Sequence, residues 1–383
     1  MARVTLGIVG LGRGMAHLRN ALRLEQAELV GACDWYEPRR RRAAEVLHEN
    51  GTSIQLLEEF DELLALKPDA LVIASNGKIQ CEHVRRTMEA GCHVLSEVPG
   101  AYTADEWVAV RDAVERTGRT YMLAENSSFL DFLRHWRAWL LQGDLGPISI
   151  AEAEYLHYLP ATLEFPDGSR LSPSRAKAQG RTDGRPIWRA DQPPIQYLTH
   201  DLGPLLEVLD DRVVSVSCRG APWWCAETPL RSDGQIALFT TAKGTLVKIM
   251  VTLSTRQPSA HRYRILGVDG TAEWFSHEGY CRRLTRDREE KEGWERIDIG
   301  TAAPDADSST GHGGCDLNML RAFVEAVANG RPSPIDVYRA IEYSLPGIIA
   351  NASAEAGGAP MEVPNLRRAP FAGTHFWDVV GLP

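Results

Sequence analysis

Two pairs of tyrosine and histidine residues have the spacing that brings a phenol and an imidazole together. Tyr197 and His200 lie three positions apart where a helix is predicted to begin near Thr199, so their side chains share one face. Tyr155 and His157 lie two positions apart on a predicted strand and also share a face. Imidazole transfers protons near neutral pH, and a phenol does so when a neighbour supports it. The spacing therefore indicates a proton-transfer site that uses His200, Tyr197 and Tyr155.

A glycine motif follows the first predicted strand. The apolar run at 3–9 leads into the sequence GLGRGM, which begins at Gly10, and a helix-compatible stretch follows. The two leading glycines match the start of the dinucleotide motif G-x-G-x-x-G, whereas a methionine occupies its last position. Such a turn presents backbone N–H groups to a pyrophosphate, although a tight turn without a ligand is the alternative. The predicted cofactor contacts here are Gly10, Gly12, Arg13, Gly14 and Met15.

An acidic residue follows the second predicted strand. Asp34 lies 24 residues after Gly10, where a carboxylate accepts hydrogen bonds from both ribose hydroxyls of NAD and repels a 2′-phosphate. The arginine run at 39–42 is the opposing signal, because it could attract that phosphate. We interpret the run as the solvated start of a helix, and we expect the cofactor to be NAD.

Apolar strands alternate with helices over the first 126 residues. Five strands have clear ranges, at 3–9, 28–34, 69–75, 92–98 and 119–125, and we count six in all. This pattern predicts a doubly wound parallel sheet of the Rossmann type, with residues 1–126 as an NAD-binding domain. Ligands bind at the carboxyl ends of such strands, where Ser75, Asn76 and Glu97 lie.

The pattern changes after Asn126. A helix at 129–141 precedes strands at 150–159, 211–219, 235–241, 245–253, 262–268 and 271–275, and helices are predicted at 315–329 and 336–352. We therefore expect residues 127–383 to form an α+β domain with a large, mostly antiparallel sheet for substrate binding and oligomerisation. The segment at 160–195 reads as a long irregular loop, a feature that is usually functional or mobile.

Composition restricts the function classes. The 383 residues carry a net charge of −9, which argues against a nucleic-acid partner. No apolar run is long enough to span a bilayer and no signal peptide precedes the first strand, so we expect a cytoplasmic protein without a membrane partner. Seven scattered cysteines without a CxxC pair predict reduced thiols and no metal site.

One block resembles a family signature. The sequence HVLSEVP at 93–99 resembles the Glu-Lys-Pro motif of the Gfo/Idh/MocA oxidoreductase family, and with Gly10, Gly12, Asp34 and Asn76 it makes residues 1–126 similar to that family's Rossmann domain. The family's lysine contacts the substrate and helps to polarise the hydroxyl that is oxidised. Val98 stands in its place here and cannot do this, so the ordinary dehydrogenase mechanism does not transfer directly.

Further blocks resemble the family 109 glycoside hydrolases, which are NAD-dependent members of the same superfamily and also lack the lysine. These blocks are Glu125-Asn126, Tyr155-Leu156-His157, Trp188-Arg189, residues 197–204 and residues 311–314. Family 188 glycosidases, which cleave sulfoquinovosides, are also related. The resemblance implies substrate contacts at Glu97, Asn126, His157, Trp188, Arg189 and His312, with Glu97 and Asn126 also near NAD.

The resemblance also implies a reaction. NAD would take a hydride from C3 of a sugar, Tyr197 or Tyr155 would remove the C2 proton, the aglycone would be eliminated, and water and hydride would then add back, with His200 taking the C3 hydroxyl proton. A sugar dehydrogenase that releases a keto product and a non-catalytic NAD-binding protein are the alternatives. We expect a sugar or glycoside substrate and a homodimer or homotetramer.

A basic stretch leaves the charge of the substrate open. Its members are Arg170, Arg175, Lys177, Arg181, Arg185 and Arg189. They could bind a carboxylate or sulfonate on the substrate, since arginine suits bidentate contact with such groups. Solvated loop charges or oligomer contacts are the alternative interpretation.

Overall fold

The N-terminal part is a parallel sheet with helices between its strands. A computed structural model describes residues 3–190, 192–225, 232–289, 292–299, 312–368 and 373–381. Up to residue 123 the elements are β1 (Val4–Val9), α1 (Gly14–Ala21), β2 (Ala27–Cys33), α2 (Glu37–Glu49), β3 (Gln55–Leu57), α3 (Phe60–Ala65), β4 (Ala70–Ile73), α4 (Gly77–Glu89), β5 (His93–Ser96), α5 (Ala104–Thr117) and β6 (Tyr121–Leu123).

The strand order of this sheet is β3-β2-β1-β4-β5-β6, and every pairing in it is parallel. This is the order of a dinucleotide-binding Rossmann sheet, which confirms the predicted fold class. The central strands β1 and β4 are almost wholly buried because helices cover both faces of the sheet. The third strand, β3, which the sequence analysis counted without locating, is short and lies at the edge.

Helix ends in this part follow the local sequence signals. Thr103 caps α5 by accepting a hydrogen bond from the Glu106 backbone N–H at 3.1 Å, and the Glu106 carboxylate accepts one from the Thr103 N–H. This capping box satisfies N–H groups that have no partner inside the helix. Gly118, with φ of 63°, ends α5 in the left-handed conformation that favours glycine.

The remaining described residues form a second, larger sheet with helices and a small sheet. Their elements are α6 (Phe132–Gln142), β7 (Ile148–Leu156), β8 (Leu163–Glu164), β9 (Arg170–Leu171), α7 (Pro173–Ala178), β10 (Arg185–Pro186), α8 (Thr199–Leu209), β11 (Val213–Gly220), β12 (Gly234–Thr241), β13 (Leu246–Thr252), β14 (Ala260–Gly267), β15 (Gly270–Phe275), β16 (Tyr280–Thr285), α9 (Arg286–Glu289), β17 (Glu295–Asp298), α10 (Cys315–Asn329), α11 (Val337–Glu355), β18 (Met361–Glu362) and α12 (Phe376–Val380).

The large sheet has nine strands within the described residues, in the order β17-β16-β15-β14-β7-β13-β12-β11-β18. Only β7 and β13 pair in parallel there, and the other neighbours are antiparallel, which confirms the predicted mostly antiparallel sheet. Helices α8 and α11 pack against β7 and β11. Along β12, buried and exposed residues alternate, so the face opposite the helices is open to solvent.

The expectation of a long irregular loop at 160–195 is wrong in part. Strands β8, β9 and β10 form a small antiparallel sheet, and the short helix α7 lies between β9 and β10. Two-residue strands have too few residues to show periodicity, so the sequence gives no sign of them. We call residues 160–187 the strap. No helix in the described part of the chain is long and apolar enough to cross a membrane.

Candidate active site

A single cleft of about 1180 Å³ contains nearly all of the predicted site residues. Its walls come from the carboxyl ends of the parallel strands, the strap, β7 and the first turn of α8. The predicted site residues that line it are Gly10, Gly12, Arg13, Asp34, Ser75, Asn76, Glu97, Asn126, Tyr155, His157, Trp188, Arg189, Tyr197, His200 and His312. Residues as far apart in the chain as Gly10 and His312 therefore meet at one place.

Gly14 and Met15, which were predicted as cofactor contacts, do not line the cleft. Met15 is buried in the hydrophobic core of the protein. A β-carbon on Gly14 would come within 2.8 Å of the Ile8 side chain, so Gly14 allows α1 to pack closely on β1. The prediction followed the linear motif, but successive helical residues are rotated by about 100°, and Gly14 and Met15 at the start of α1 turn toward the core.

The glycine turn fits a dinucleotide. Gly10 has φ of 85°, and a β-carbon there would collide with the Ala74 carbonyl oxygen, so the turn requires glycine. Gly12 leaves the backbone uncovered on its cleft side, where the nearest atoms are those of the Arg39 guanidinium, 3.5 Å from where a β-carbon would be. The N-terminus of α1 follows directly and supplies N–H donors to an anion.

Asp34 lies at the end of β2 and is buried. Its Oδ2 accepts hydrogen bonds from the Leu11 N–H at 2.8 Å and from Arg39 at 3.1 Å, and its Oδ1 accepts one from the Tyr36 N–H at 2.9 Å. A carboxylate has about four acceptor sites, and these three hydrogen bonds leave one of them for a ribose hydroxyl. The interpretation of the run at 39–42 as a solvated face is wrong for Arg39 and for Arg40, which contacts the Asp34 carbonyl oxygen.

The strap closes the Asp34 end of the cleft. Arg39 forms an ion pair with Glu164 of the strap, and the Tyr36 hydroxyl donates to the carbonyl oxygens of Phe165, at 3.1 Å, and Pro166. The Arg185 guanidinium lies over the exposed ring of Trp35 at 4.8 Å. Of the basic stretch, Arg170 and Arg185 therefore line the cofactor end of the cleft.

Two of the four arginines of the strap already have carboxylate partners. Arg170 pairs with Glu164 at 3.2 Å, and Arg181 pairs with Asp167 at 2.9 Å. Arg189 follows the strap and lies at the opposite end of the cleft beside Tyr197, with its Nε buried. Among the six residues of the basic stretch, Arg189 is the one whose guanidinium lies beside the predicted proton-transfer residues.

A buried carboxylate, Asp316, contacts three predicted site residues at the floor of the cleft. It accepts two hydrogen bonds from Arg13, both at 2.8 Å, and one from Asn126 at 2.7 Å, and His312 lies 3.1 Å away. Although burial opposes ionisation, the hydrogen bonds from His312 and Arg13 and their charges hold the pKa of Asp316 well below its usual range. Asp316 lies in the first turn of α10 and was not predicted as a site residue. The neighbouring Gly311 of the predicted block lies outside the described residues.

Glu97 is held on the opposite side of Arg13. Its Oε1 lies 3.0 Å from Arg13 and 2.5 Å from Nε2 of the fully buried His17 on α1. Burial raises the pKa of Glu97, but the Arg13 charge and the His17 hydrogen bond outweigh it and lower the pKa overall. Glu97 is therefore ionised and holds the Arg13 guanidinium in place through an ion pair.

His200 is paired with a carboxylate. Its Nδ1 lies 2.8 Å from Oε1 of Glu125, which is buried at the end of β6 and also accepts the Ser127 N–H at 3.0 Å. Burial on its own lowers the pKa of His200, but the Glu125 charge and hydrogen bond raise it overall. With Nδ1–H donating to Glu125, Nε2 is free to accept a proton, so the imidazole can act as a base.

Four aromatic rings stack beside His200. The Tyr155 ring lies 4.0 Å from His157, 5.2 Å from Tyr197 and 5.7 Å from His200, and Trp188 stacks on Tyr197 at 5.2 Å. The two Tyr/His pairs that spacing predicted therefore form one cluster. Burial raises the pKa of Tyr155, and it raises that of Tyr197 to about 12 even though Arg189 opposes the change.

His157 differs from His200 in its protonation. Burial, and then the neighbouring His261, His200, Arg189 and His312, lower its pKa to about 3. The ring of His157 is therefore neutral at physiological pH and can donate or accept a hydrogen bond without carrying charge.

Several residues at this site were missed by the sequence analysis. Glu125 was noted only as part of a family block, although its place at the end of a buried parallel strand could have indicated it. Asp201 and His261 form a second carboxylate–imidazole pair near Tyr155, at 3.2 Å. His17 and Asp316 lie on helices, where single polar residues have no distinguishing pattern.

The fold and the site together define an NAD-dependent oxidoreductase of two parts. The Rossmann strand order, the glycine turn and the acidic residue after β2 form the cofactor half, and the end of β7 and the start of α8 supply the Tyr/His pairs. Residues 4–125 match the model of the Gfo/Idh/MocA oxidoreductase family, NAD-binding Rossmann fold, and residues 230–372 match that of the glycosyl hydrolase 109 C-terminal domain. The chain therefore has an N-terminal domain of the Gfo/Idh/MocA oxidoreductase type and a C-terminal domain of the glycosyl hydrolase 109 type, and its cofactor is NAD.

Similar proteins agree with this assignment. Glycosyl hydrolase family 109 protein 2 of Akkermansia muciniphila is 26% identical, and the match covers 98% of this chain and 85% of that protein. Glycosyl hydrolase family 109 protein 1 of Bacteroides thetaiotaomicron is 25% identical, and the match covers 95% of this chain and 85% of that protein. Among solved structures, levoglucosan dehydrogenase with NADH and levoglucosan has a TM-score of 0.77 at 18% identity, with 94% and 100% covered. The structure of an inositol dehydrogenase homologue of Azotobacter vinelandii with NADH and myo-inositol has a TM-score of 0.72 at 16% identity. The match covers 94% of this chain and 98% of that one. The structural matches support the fold.

Proposed function

We propose that this protein is an NAD-dependent glycoside hydrolase that cleaves by transient oxidation at C3, elimination across C1 and C2, addition of water and re-reduction. One observation carries the proposal. The cleft holds separate groups for two different protons, His200 with its Glu125 partner and Tyr155 within the aromatic cluster, whereas Val98 lines the cleft where an ordinary family dehydrogenase has its lysine. A simple oxidation needs only one proton acceptor.

The proposed roles in oxidation follow from charge and placement. NAD would be held at the glycine turn and Asp34, and it would supply the acceptor and donor of the hydride. His200 accepts the proton of the hydroxyl group at that carbon, because Glu125 fixes its tautomer and makes the imidazole the stronger base. Glu97 and Asp316 hold Arg13 beside the glycine turn, which keeps that cofactor-side wall rigid.

The proposed elimination uses the adjacent phenol. A ketone at C3 acidifies the C2 proton, and Tyr155 removes it while the C–H electron pair forms the C1–C2 double bond and the C1–O bond breaks. The aglycone leaves as an alcohol, so the proton taken from C2 is balanced by the proton that the leaving oxygen gains. Water then adds its oxygen at C1 and its proton at C2. Arg189 supports the phenolate form, because its charge lowers the pKa of Tyr155 against the larger effect of burial.

We propose the sugar site at the cluster end of the cleft. Trp188 stacks on Tyr197 there and offers an aromatic face to sugar C–H groups, and Asn126, His157, Arg189 and His312 line the same end as hydrogen-bonding groups. Residues 1–126 would form the cofactor domain and residues 127–383 the substrate and oligomerisation domain.

We also propose that the protein is a homodimer or homotetramer built on the open face of the large sheet. That face presents exposed apolar side chains at Ile150, Ile236, Leu238 and Leu246. Beside them lies a ladder of opposite charges, with Lys248 and Arg264 on Glu152 at 2.8 and 2.9 Å. A flat surface with both signs of charge and an apolar centre is suited to a second copy of itself.

The experiment is a panel of nitrophenyl glycosides assayed with trace NAD⁺ in D₂O, following nitrophenolate, NADH and the position of deuterium. We expect many turnovers per cofactor, no accumulation of NADH, and deuterium at C2 of the released sugar with protium kept at C3. Stoichiometric NADH with an uncleaved keto-glycoside would establish the sugar dehydrogenase instead. Cleavage without deuterium at C2 would exclude elimination.

A further inference from the structure

A second carboxylate–imidazole pair, Asp201 and His261, lies against Tyr155. The Nδ1 atom of His261 lies 3.2 Å from Oδ1 of Asp201, and the Asp201 side chain is fully buried whereas that of His261 is 23% exposed. The His261 ring meets the Tyr155 ring edge to face at 4.8 Å, with 87° between their planes. The two rings are therefore in direct contact.

Strand pairing fixes this contact. His261 on β14 and Tyr155 on β7 are opposite one another in the antiparallel register. Side chains directly opposite in such a pair lie on the same face at close range, so the sheet itself sets His261 beside the phenol. A carboxylate on α8 then clamps the imidazole from the helix layer.

The first turn of α8 separates the two pairs. His200 and Asp201 are consecutive, and consecutive helical residues point in directions about 100° apart. His200 turns toward Glu125 and Asp201 turns toward His261, and the two imidazole rings are 6.5 Å apart and perpendicular. One helix start therefore holds one member of each pair, on two sides of Tyr155.

The pair has the properties of a support for the phenol. The buried carboxylate of Asp201 lies within hydrogen-bond distance of Nδ1 of His261 and fixes the orientation of the imidazole ring. His261 contacts Tyr155 directly, whereas Asp201 lies behind it. An imidazole held in one orientation against the phenol ring restricts the rotation of that ring, and its oriented dipole acts on the phenol.

We propose that His261, clamped by Asp201, positions and polarises Tyr155 for removal of the C2 proton and takes no part in oxidation. The inference rests on the proposed glycosidase function and assigns one residue pair to each step. Glu125 and His200 serve the oxidation, and Asp201 and His261 serve the elimination. His261 acts through Tyr155, so it is a positioning residue.

The test separates the two half-reactions. The variant His261→Phe keeps an aromatic ring against Tyr155 and removes the nitrogen atoms, and His277→Phe, at an exposed position after β15, is the matched control. NAD-loaded enzyme is mixed in D₂O with the nitrophenyl glycoside that the wild type cleaves best, and reduced cofactor, nitrophenolate and C2 deuterium are measured. Asp201→Asn is measured in the same way, and NAD affinity by titration reports on folding.

We expect His261→Phe to form reduced cofactor within about threefold of the wild-type rate and to accumulate it. Nitrophenolate release and C2 deuteration should fall about 100-fold or more, in the range typical of lost proton-transfer support. Asp201→Asn should show the same split with a smaller loss, and His277→Phe should match the wild type.

Two results would overturn the inference. C2 deuteration by His261→Phe at the wild-type rate, or an equal fall in cofactor reduction and C2 deuteration with NAD affinity preserved, would show that His261 does not serve elimination selectively. Wild-type enzyme that reduces NAD without any C2 deuteration would overturn the proposed function itself, and the inference with it. The wild-type and variant measurements therefore distinguish the two failures.

Discussion

Replacing Glu125 by glutamine removes the charge behind His200 and leaves the shape of the site almost unchanged. Glutamine keeps a side-chain oxygen that can accept both the Ser127 N–H and the His200 Nδ1–H, which lie 3.0 and 2.8 Å from Glu125. The site is buried, since Glu125 is fully buried and the His200 side chain is 14% exposed. Glu125→Gln therefore tests electrostatics with little change in packing.

The expected magnitude follows from Coulomb's law. As His200 takes a proton, its positive charge lies about 4 Å from the carboxylate charge, and at an effective dielectric of about 20 the attraction is about 4 kcal/mol. An interaction of that size that forms only as the proton transfers corresponds to about three powers of ten in rate. We therefore expect kcat to fall by about 10³-fold in Glu125→Gln.

The pH profile gives an independent check. A base acts in its neutral form, so activity is lost as the pH falls through the pKa of His200. Glu125 raises that pKa, and the acid limb of kcat/KM should therefore move to lower pH in Glu125→Gln. The assay is steady-state cleavage of a nitrophenyl glycoside across pH, with NAD affinity measured in parallel. An unmoved acid limb, or a loss of less than about tenfold, would refute the assigned role of the pair.

Four further predictions address the rest of the site. Titration calorimetry should show tighter binding of NAD than of NADP, and Asp34→Ala should narrow the difference; an equal loss for both cofactors would contradict this. Asp316→Asn should lower the free energy of unfolding by about 3 kcal/mol, because Arg13 and Asn126 lose a buried anion, although Glu97 still contacts Arg13; urea unfolding measures this, and a change under about 0.5 kcal/mol would be evidence against it. Substrate deuterated at C3 should slow cofactor reduction in stopped-flow absorbance by a primary isotope effect, and equal rates would argue against oxidation at that carbon. Leu238→Lys should reduce the molar mass measured by light scattering to that of one chain, and an unchanged mass would move the interface elsewhere.

The sequence predicted the fold well where local patterns are strong. Buried strands such as β1 and β4 are continuous apolar runs, and the capping box at Thr103 and Glu106 marks the start of α5. Strand β3 has only three residues, the strands of the strap have two each, and β16 and β17 carry charges on both faces. Periodicity needs several residues to show, so these elements were missed.

The spacing of the Tyr/His pairs predicted that their rings lie together, whereas the residues that contact these rings from other parts of the chain could not be predicted. The Tyr/His pairs were found because their spacing within a helix or a strand implies a shared face. Asp316 and His261 act on partners far away in the chain, and Asp316 is 303 residues from Arg13. No local pattern encodes such a pairing, and a single carboxylate at a helix start resembles an ordinary cap. Arg39 was misread for the same reason, since Glu164 is 125 residues away.

The pairing of Arg13 with Asp316 also sets the order in which the cleft can be completed during synthesis. Domains fold from the N-terminus as the chain emerges from the ribosome, so the parallel sheet is available long before α10 has been translated. Until Asp316 arrives, Arg13 and Asn126 lack the carboxylate that fixes them at the cleft floor, 303 and 190 residues away along the chain. A ribosome-bound chain that ends before residue 316 would thus present a Rossmann sheet whose cofactor cleft is still unfinished.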